Sequence, residues 1–91
     1  MGVTVRIPTQ LRPLTGGLNR VEVKAGTVGE IIDALESAHP GFVERLLDEG
    51  GIVRRYVNLF VDDEDIRFVD GLATPVKDGQ TLSVVPAVAG G

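Results

Sequence analysis

The chain has 91 residues, of which 43% are apolar and 24% are charged, the composition of one globular domain. Its 13 acidic and 9 basic residues give a net charge of −4, which disfavours binding to nucleic acid and to anionic membranes. The absence of cysteine excludes a disulfide framework, a thiolate metal site and a catalytic thiol. No segment approaches the roughly 20 apolar residues of a membrane helix, so we expect a cytoplasmic protein.

Two segments near the N-terminus predict a β-hairpin. Residues 3–7 and 20–24 each alternate apolar with polar side chains, which is the period of a half-buried strand. Residues 9–19 between them contain Pro13 and the pair Gly16-Gly17, a composition typical of a loop. We therefore expect two strands joined by a long loop.

A helix is predicted to begin after Thr27. Thr27 and Glu30 have the spacing of a capping box, in which each side chain accepts a hydrogen bond from the other residue's backbone amide. Four apolar residues then recur with the helical period: Val28, Ile31, Ile32 and Leu35. Pro40-Gly41 ends this helix, and residues 42–47 predict a short second helix.

The second half of the chain predicts further strands. Residues 56–61 alternate most clearly, and the acidic run Asp62–Asp65 that follows is expected to be a solvated turn. Residues 66–68 predict a short edge strand, and residues 81–85 predict a last strand that Pro86 closes.

This order of elements predicts an α+β domain of the β-grasp, or ubiquitin-like, type. A mixed sheet would pack on one main helix, with a short second helix, and the first and last strands would lie parallel in the centre of the sheet. The domain covers residues 1–86. Residues 87–91 are small and uncharged, and we expect them to form a flexible C-terminal tail.

Side chains suited to catalysis are scarce. His39 is the only histidine, and we expect it at the C-terminal end of the main helix, beside the exposed carbonyl groups. Ser37 and Ser83 lack the context of an activated nucleophile, and the run Asp62–Asp65 lacks the ligand spacing of a calcium loop. We therefore predict no catalytic residue and no metal site, hence a protein that is not an enzyme.

The C-terminal pair Gly90-Gly91 is the feature that suggests a function. Residues without a Cβ leave the final carboxylate unhindered and let the chain thread a narrow channel. A carboxylate is inert towards nucleophiles, so an external enzyme would first convert it to a mixed anhydride with AMP, which sulfide or a thiolate can displace. From the two glycines alone, a tail without a function is an equally open interpretation.

With these features, the sequence resembles the ubiquitin-like sulfur carriers, a family that includes the small subunit of molybdopterin synthase and the sulfur carrier of thiamine synthesis. The resemblance covers essentially the whole chain and is most specific at its end. Within the family it is greatest to the carriers of actinobacterial cysteine synthesis. It rests on residues 3–7, residues 11–17, the Thr27-capped helix, residues 56–61 with 63–68, residues 71–74 and residues 86–91.

The resemblance implies that an E1-like enzyme uses ATP to adenylate Gly91, which then receives sulfur as a thiocarboxylate. Gly91 would carry the sulfur, Gly90 would give access, and Ala87, Val88 and Ala89 would enter the partner's active site. The implied acceptor is a cysteine synthase, a thiazole-synthase-like enzyme or the large-subunit type of molybdopterin synthase. For the cysteine route the resemblance also implies a metalloprotease that releases the product. The carrier itself would bind no permanent cofactor.

A docking surface is predicted on the outer face of the sheet. If the apolar residues of the strand over 56–61 face the helix, Tyr56, Asn58 and Phe60 face away from it. We therefore take Tyr56 and Phe60, with the acidic Asp63 and Glu64, as candidate docking residues. Burial of Phe60 by the edge strand is the alternative.

Two other functions stay open on the sequence. A ubiquitin-like modifier would join Gly91 to lysines of target proteins, although the tail lacks the arginines that precede the diglycine of ubiquitin. A β-grasp binding subunit would transfer nothing, and its activity would survive deletion of Gly90-Gly91.

Overall fold

The structure is a computed structural model that describes residues 2–86. Within them the chain forms seven strands and two α-helices. In chain order these are β1 (Val3–Arg6), β2 (Arg20–Val23), β3 (Gly26–Thr27), α1 (Val28–Ala38), α2 (Phe42–Leu46), β4 (Val57–Val61), β5 (Glu64–Asp65), β6 (Pro75–Val76) and β7 (Thr81–Pro86).

Five of the strands form a mixed sheet in the order β2-β1-β7-β4-β5. β1 runs parallel to β7, and every other neighbouring pair in this sheet is antiparallel. The first and last strands are therefore central and parallel, as the sequence predicts, and the fold is a β-grasp. β3 and β6 pair separately as a two-stranded antiparallel ribbon.

α1 packs its apolar stripe against one face of the sheet. The Thr27 hydroxyl accepts a hydrogen bond from Glu30 N at 3.2 Å, and Glu30 Oε1 accepts one from Thr27 N at 2.8 Å, which confirms the capping box. All four residues of the predicted stripe are buried. They form one hydrophobic core with the inward side chains of β1, β4 and β7. The free energy gained by burying this apolar surface holds the helix layer on the sheet.

α2 is fixed to the end of α1 by a carboxylate. Glu36, on α1, accepts hydrogen bonds from Gly41 N at 3.1 Å and from Val43 N at 2.9 Å, so it satisfies amides at the start of α2. Gly41 has φ 116°, and a Cβ there would lie 2.8 Å from Leu14 Cδ2. The positive φ favours glycine at this corner, and a side chain there would also require Leu14 to shift.

The segment predicted as a long loop contains a 3₁₀ helix over Thr9–Thr15. Leu11 and Thr15 are buried, and Thr15 Oγ1 lies 3.0 Å from Arg12 O and 2.9 Å from Leu18 O. The two strands are joined by a long connection as predicted, and the 3₁₀ helix within it was not predicted; Leu11 inserts into the core and anchors the segment.

The edge of the sheet also differs from the expectation. Ile66–Phe68 is a 3₁₀ helix and not an edge strand, because the Asp65 carboxylate accepts a hydrogen bond from Arg67 N at 2.9 Å and caps a helical turn. The edge strand is β5, which lies inside the predicted turn and pairs with the end of β4. Among residues 2–86, no helix is both long and apolar enough to span a membrane.

Candidate functional site

The C-terminal end of β7 is the part of the described structure from which the predicted sulfur-carrying segment continues. β7 lies between β1 and β4, and its last residue, Pro86, is opposite Val57. The tail residues named as candidates, Ala87, Val88, Ala89, Gly90 and Gly91, lie outside the described residues. The predicted roles of these five residues therefore stay predictions. The structure describes the surface of the domain around Pro86, from which the tail continues.

The outer face of the sheet has the side-chain alternation that the sequence predicts. Val57, Leu59 and Val61 of β4 are buried against the helices. Phe60 therefore faces outward, where it is half-buried between Ser83 of β7 and Asp65 of β5.

Apolar side chains on this face continue towards the end of β7. Val85 is 46% exposed and lies opposite Asn58, so it is a diagonal neighbour of Phe60 on the same face. Tyr56, just before β4, is 51% exposed. Tyr56, Phe60 and Val85 together form a weakly apolar surface, the outer-face patch, beside the start of the tail.

The acidic run after β4 divides into structural and exposed members. Asp62 has φ 54°, its Oδ1 accepts from Thr81 N, and its Oδ2 accepts from Gln80 Nε2, both at 3.0 Å. Asp65 caps the following 3₁₀ helix. Asp63 and Glu64 are exposed, so their carboxylates are accessible to a docking partner.

Arg67 fastens the segment after β5 to the start of β4. Its Nη1 donates to Asn58 Oδ1 at 2.7 Å, and its Nη2 donates to Val57 O at 2.6 Å and to Arg55 O at 3.3 Å. The guanidinium thus donates hydrogen bonds to backbone carbonyls at the start of β4, which the two-residue strand β5 is too short to pair with. The neighbouring Phe68 is 88% exposed, which the sequence prediction of an edge strand did not indicate.

His39 is at the end of α1 as predicted. It is the C-cap residue, and its backbone N–H donates to Leu35 O at 2.6 Å. Within residues 2–86, no three His, Asp or Glu side chains come together in an arrangement that could hold a metal ion.

Comparison with known proteins identifies the family to which this architecture belongs. The ThiS family model matches residues 5–91. The chain belongs to the ThiS family of ubiquitin-like sulfur carriers. It is 50% identical to the sulfur carrier protein CysO of Mycobacterium tuberculosis over 93 residues, which cover all of both chains.

A solved structure and a relative of lower sequence identity extend this comparison. The fold matches a chain of the Amycolatopsis orientalis BexX/CysO complex with a TM-score of 0.93 and 54% identity, over 99% of this chain and 100% of that chain. The chain is also 38% identical, over 65 residues, to small archaeal modifier protein 3 of Haloferax volcanii, covering 71% of this chain and 70% of that protein. The CysO relative is named a sulfur carrier and the archaeal relative a modifier protein.

Proposed function

We propose that this family member carries sulfur as a thiocarboxylate on Gly91 and delivers it to a biosynthetic enzyme. The observation that carries the proposal is the position of β7, since the central strand of the sheet leads directly into the segment that ends in Gly90-Gly91. Membership of the ThiS family supports the same role.

The chemistry requires two steps on an E1-like enzyme. A carboxylate oxygen of Gly91 attacks the α-phosphorus of ATP, which forms the acyl adenylate and releases pyrophosphate. Hydrosulfide then attacks the acyl carbon, and the bond between this carbon and the oxygen that bridges to phosphorus breaks. AMP leaves with that oxygen, and loss of the S–H proton gives the thiocarboxylate. ATP is thus a substrate of the activating enzyme, and the carrier contributes only its carboxylate.

The carrier's own contribution is to present the tail. Five residues follow Pro86, and a fully extended chain of that length spans at most about 18 Å. A partner that holds Gly91 in its active site must therefore contact the domain close to the end of β7. Ala87, Val88 and Ala89 would lie in the partner's channel, where small side chains leave room for the backbone.

The outer-face patch is a suitable contact for such a partner. Tyr56, Phe60 and Val85 lie beside the end of β7 and expose apolar area that folding leaves unpaired. The exposed carboxylates of Asp63 and Glu64 flank the far end of the same strand pair. The crystallised complex of the Amycolatopsis relative with BexX supports a function exercised in protein complexes.

The acceptor we propose first is a cysteine synthase, because the similarity to the CysO proteins spans the full chain. A metalloprotease would then release the product from the carrier. A thiazole-synthase-like enzyme or a large subunit of the molybdopterin-synthase type would use the same thiocarboxylate. Incubation of the thiocarboxylate with each acceptor class, followed by loss of sulfur from the carrier, distinguishes them.

The proposal is tested by intact-protein mass spectrometry after incubation with an E1-like enzyme, ATP and sulfide. We expect a mass gain equal to exchange of one oxygen for sulfur, located at Gly91. A chain lacking Gly90-Gly91 should gain nothing, nor should a matched control with one alanine added after Gly91, which keeps the diglycine but moves the carboxylate. Failure of the unaltered chain with several activating enzymes would contradict the proposal and favour a non-transferring binding subunit.

The second candidate function is a protein modifier, which the similarity to small archaeal modifier protein 3 favours. Its adenylate would be attacked by a lysine amine, so the product would be an isopeptide-linked protein and not a sulfur-containing small molecule. Mass spectrometry of target peptides for a residual diglycine on lysine separates the two functions.

A further inference from the structure

Arginine side chains are concentrated on the outer face of the sheet near the end of β7. Arg6 of β1 and Arg20 of β2 are directly opposite one another and both exposed. Arg12 Nε donates to Ile7 O at 3.2 Å, next to them. The three arginines line one groove together with Ser83 and Val85 of β7, and the same groove also reaches Asp62 and Asp63.

Three more arginines lie on the other side of β7. Arg54 and Arg55 precede β4, whose first residue, Val57, is opposite Pro86. Arg67 contacts the carbonyls of Arg55 and Val57. Arg54 Nε donates to Glu44 O of α2 at 3.1 Å, so this side chain is directed to the helix layer. The other five arginines near this end of the sheet are here called the arginine end: Arg6, Arg12, Arg20, Arg55 and Arg67.

The opposite end of the central strands has side chains of both signs, because Lys24 and Lys77 lie there beside a larger number of carboxylates. Glu22 faces Thr4 beside the first residue of β7, and Asp62 accepts a hydrogen bond from Thr81. Asp63 and Glu64 are exposed in the same hairpin. A chain with a net charge of −4 thus has a positive region on the side where its tail begins.

The arrangement is unfavourable for the fold alone. Like charges directly opposite one another on a sheet lower its stability, and Arg6 and Arg20 form such a pair. A guanidinium is also the side chain best suited to bidentate pairing with a carboxylate. A partner surface with carboxylates would therefore relieve the repulsion.

We propose that the arginine end docks on a rim of Asp and Glu side chains around the channel of the activating enzyme that receives the tail. The inference rests on the proposed function, since the short reach of five residues is what forces this end against the enzyme. Complementary charge would also speed the encounter, because a net-negative carrier would otherwise approach an acidic rim slowly and in the wrong orientation.

The test compares two charge-reversed carriers of equal net charge. One has Arg6→Glu with Arg20→Glu, and the matched control has Lys24→Glu with Lys77→Glu, at the opposite end of the central strands. Affinity for the activating enzyme is measured without ATP, and kcat/KM of thiocarboxylate formation is measured with ATP and sulfide, each over a range of salt concentrations. Arg6→Gln with Arg20→Gln is a milder pair, and circular dichroism verifies that each variant folds.

We expect the arginine reversal to weaken binding and lower kcat/KM by about tenfold or more at low salt, through KM, with the lysine reversal within about twofold of the unaltered carrier. Binding of the unaltered carrier should weaken as salt rises. Equal effects of the two reversals, or binding that strengthens with salt, would overturn the docking proposal. If the unaltered carrier binds the activating enzyme but forms no thiocarboxylate, the proposed function is contradicted. The affinities of the variants would still test the docking proposal in that case.

Discussion

Asp62 shows how a single side chain joins two strands of the sheet. It takes the positive φ of 54° that the two-residue turn between β4 and β5 requires at this point. Its two carboxylate oxygens accept hydrogen bonds from Thr81 N and Gln80 Nε2. The turn is thereby tied to the start of β7, the strand that leads to the tail.

Substitutions at Asp62 separate its role as a hydrogen-bond acceptor from its role in adopting a positive φ. We expect Asp62→Ala to lower the free energy of unfolding by about 1–3 kcal/mol, because it loses both acceptors and keeps the strained φ. Asp62→Gly should cost less, since glycine adopts that φ without strain. Urea unfolding measures both, with Asp63→Ala as the exposed control. The interpretation fails if Asp62→Ala unfolds at the same urea concentration as that control.

At the scale of elements, the regular parts of the fold follow from local periodicity. The capping box and apolar stripe of α1 and the alternation in β1, β2, β4 and β7 are read from neighbouring residues, because burial on one face imposes those periods. The 3₁₀ helix over Thr9–Thr15 could not be predicted this way, since the burial of Leu11 depends on residues distant in sequence.

The same distinction applies to the candidate site. The outward orientation of Phe60 follows from alternation along β4, and the diglycine is visible in the sequence. The exposure of Phe68 and the gathering of five arginines at the arginine end depend on strand order and on long-range contacts of Arg67. Nothing in the local sequence signals either one.

The α1–α2 corner gives a prediction about elements. Glu36 accepts hydrogen bonds from the amides of Gly41 and Val43, so Glu36→Ala leaves these two donors without their acceptor. We expect a loss of about 1–2 kcal/mol in the free energy of unfolding. Glu36→Gln keeps one acceptor oxygen and should lose less. Hydrogen exchange at the Val43 amide checks the cause, because it should accelerate more in Glu36→Ala than in Glu36→Gln.

An unchanged exchange rate in Glu36→Ala would contradict this account of the corner. Glu44→Ala is a suitable control, since Glu44 is an exposed acidic residue of α2 itself. It removes the same charge while leaving the Glu36 carboxylate in place, and its effect on the Val43 amide should be small.

For the whole molecule, the two layers have separate tasks. The face of the sheet towards α1 holds the core, so substitutions there act on stability. The outer face holds the outer-face patch and Arg6, Arg12 and Arg20 of the arginine end, beside the second half of β7. A carrier needs this division, because the surface that partners contact must lie within reach of the tail and must be free of the packing that maintains the fold.

Two phenylalanines test this division. Phe60 is half-buried on the outer face beside β7, whereas Phe68 is 88% exposed on the 3₁₀ helix beyond the edge of β4. We expect Phe60→Ser to weaken binding to the activating enzyme by about tenfold, the size typical of an interface aromatic residue. Phe68→Ser removes the same ring from a neighbouring surface and should leave binding within about twofold.

Both variants must be folded for the comparison to hold, and thermal unfolding with size-exclusion chromatography verifies this. Phe68→Ser should leave the unfolding temperature nearly unchanged because its ring contacts little, and Phe60→Ser should lower it slightly. Unchanged binding by a folded Phe60→Ser, together with weakened binding by Phe68→Ser, would move the docking surface from the outer face to the edge of β4. Arg67, the neighbour of Phe68, is hydrogen-bonded to Asn58 and Val57 at the start of β4, close to where the tail begins. An enzyme that binds Phe68 would therefore reach the tail from the edge of the sheet and not across its outer face.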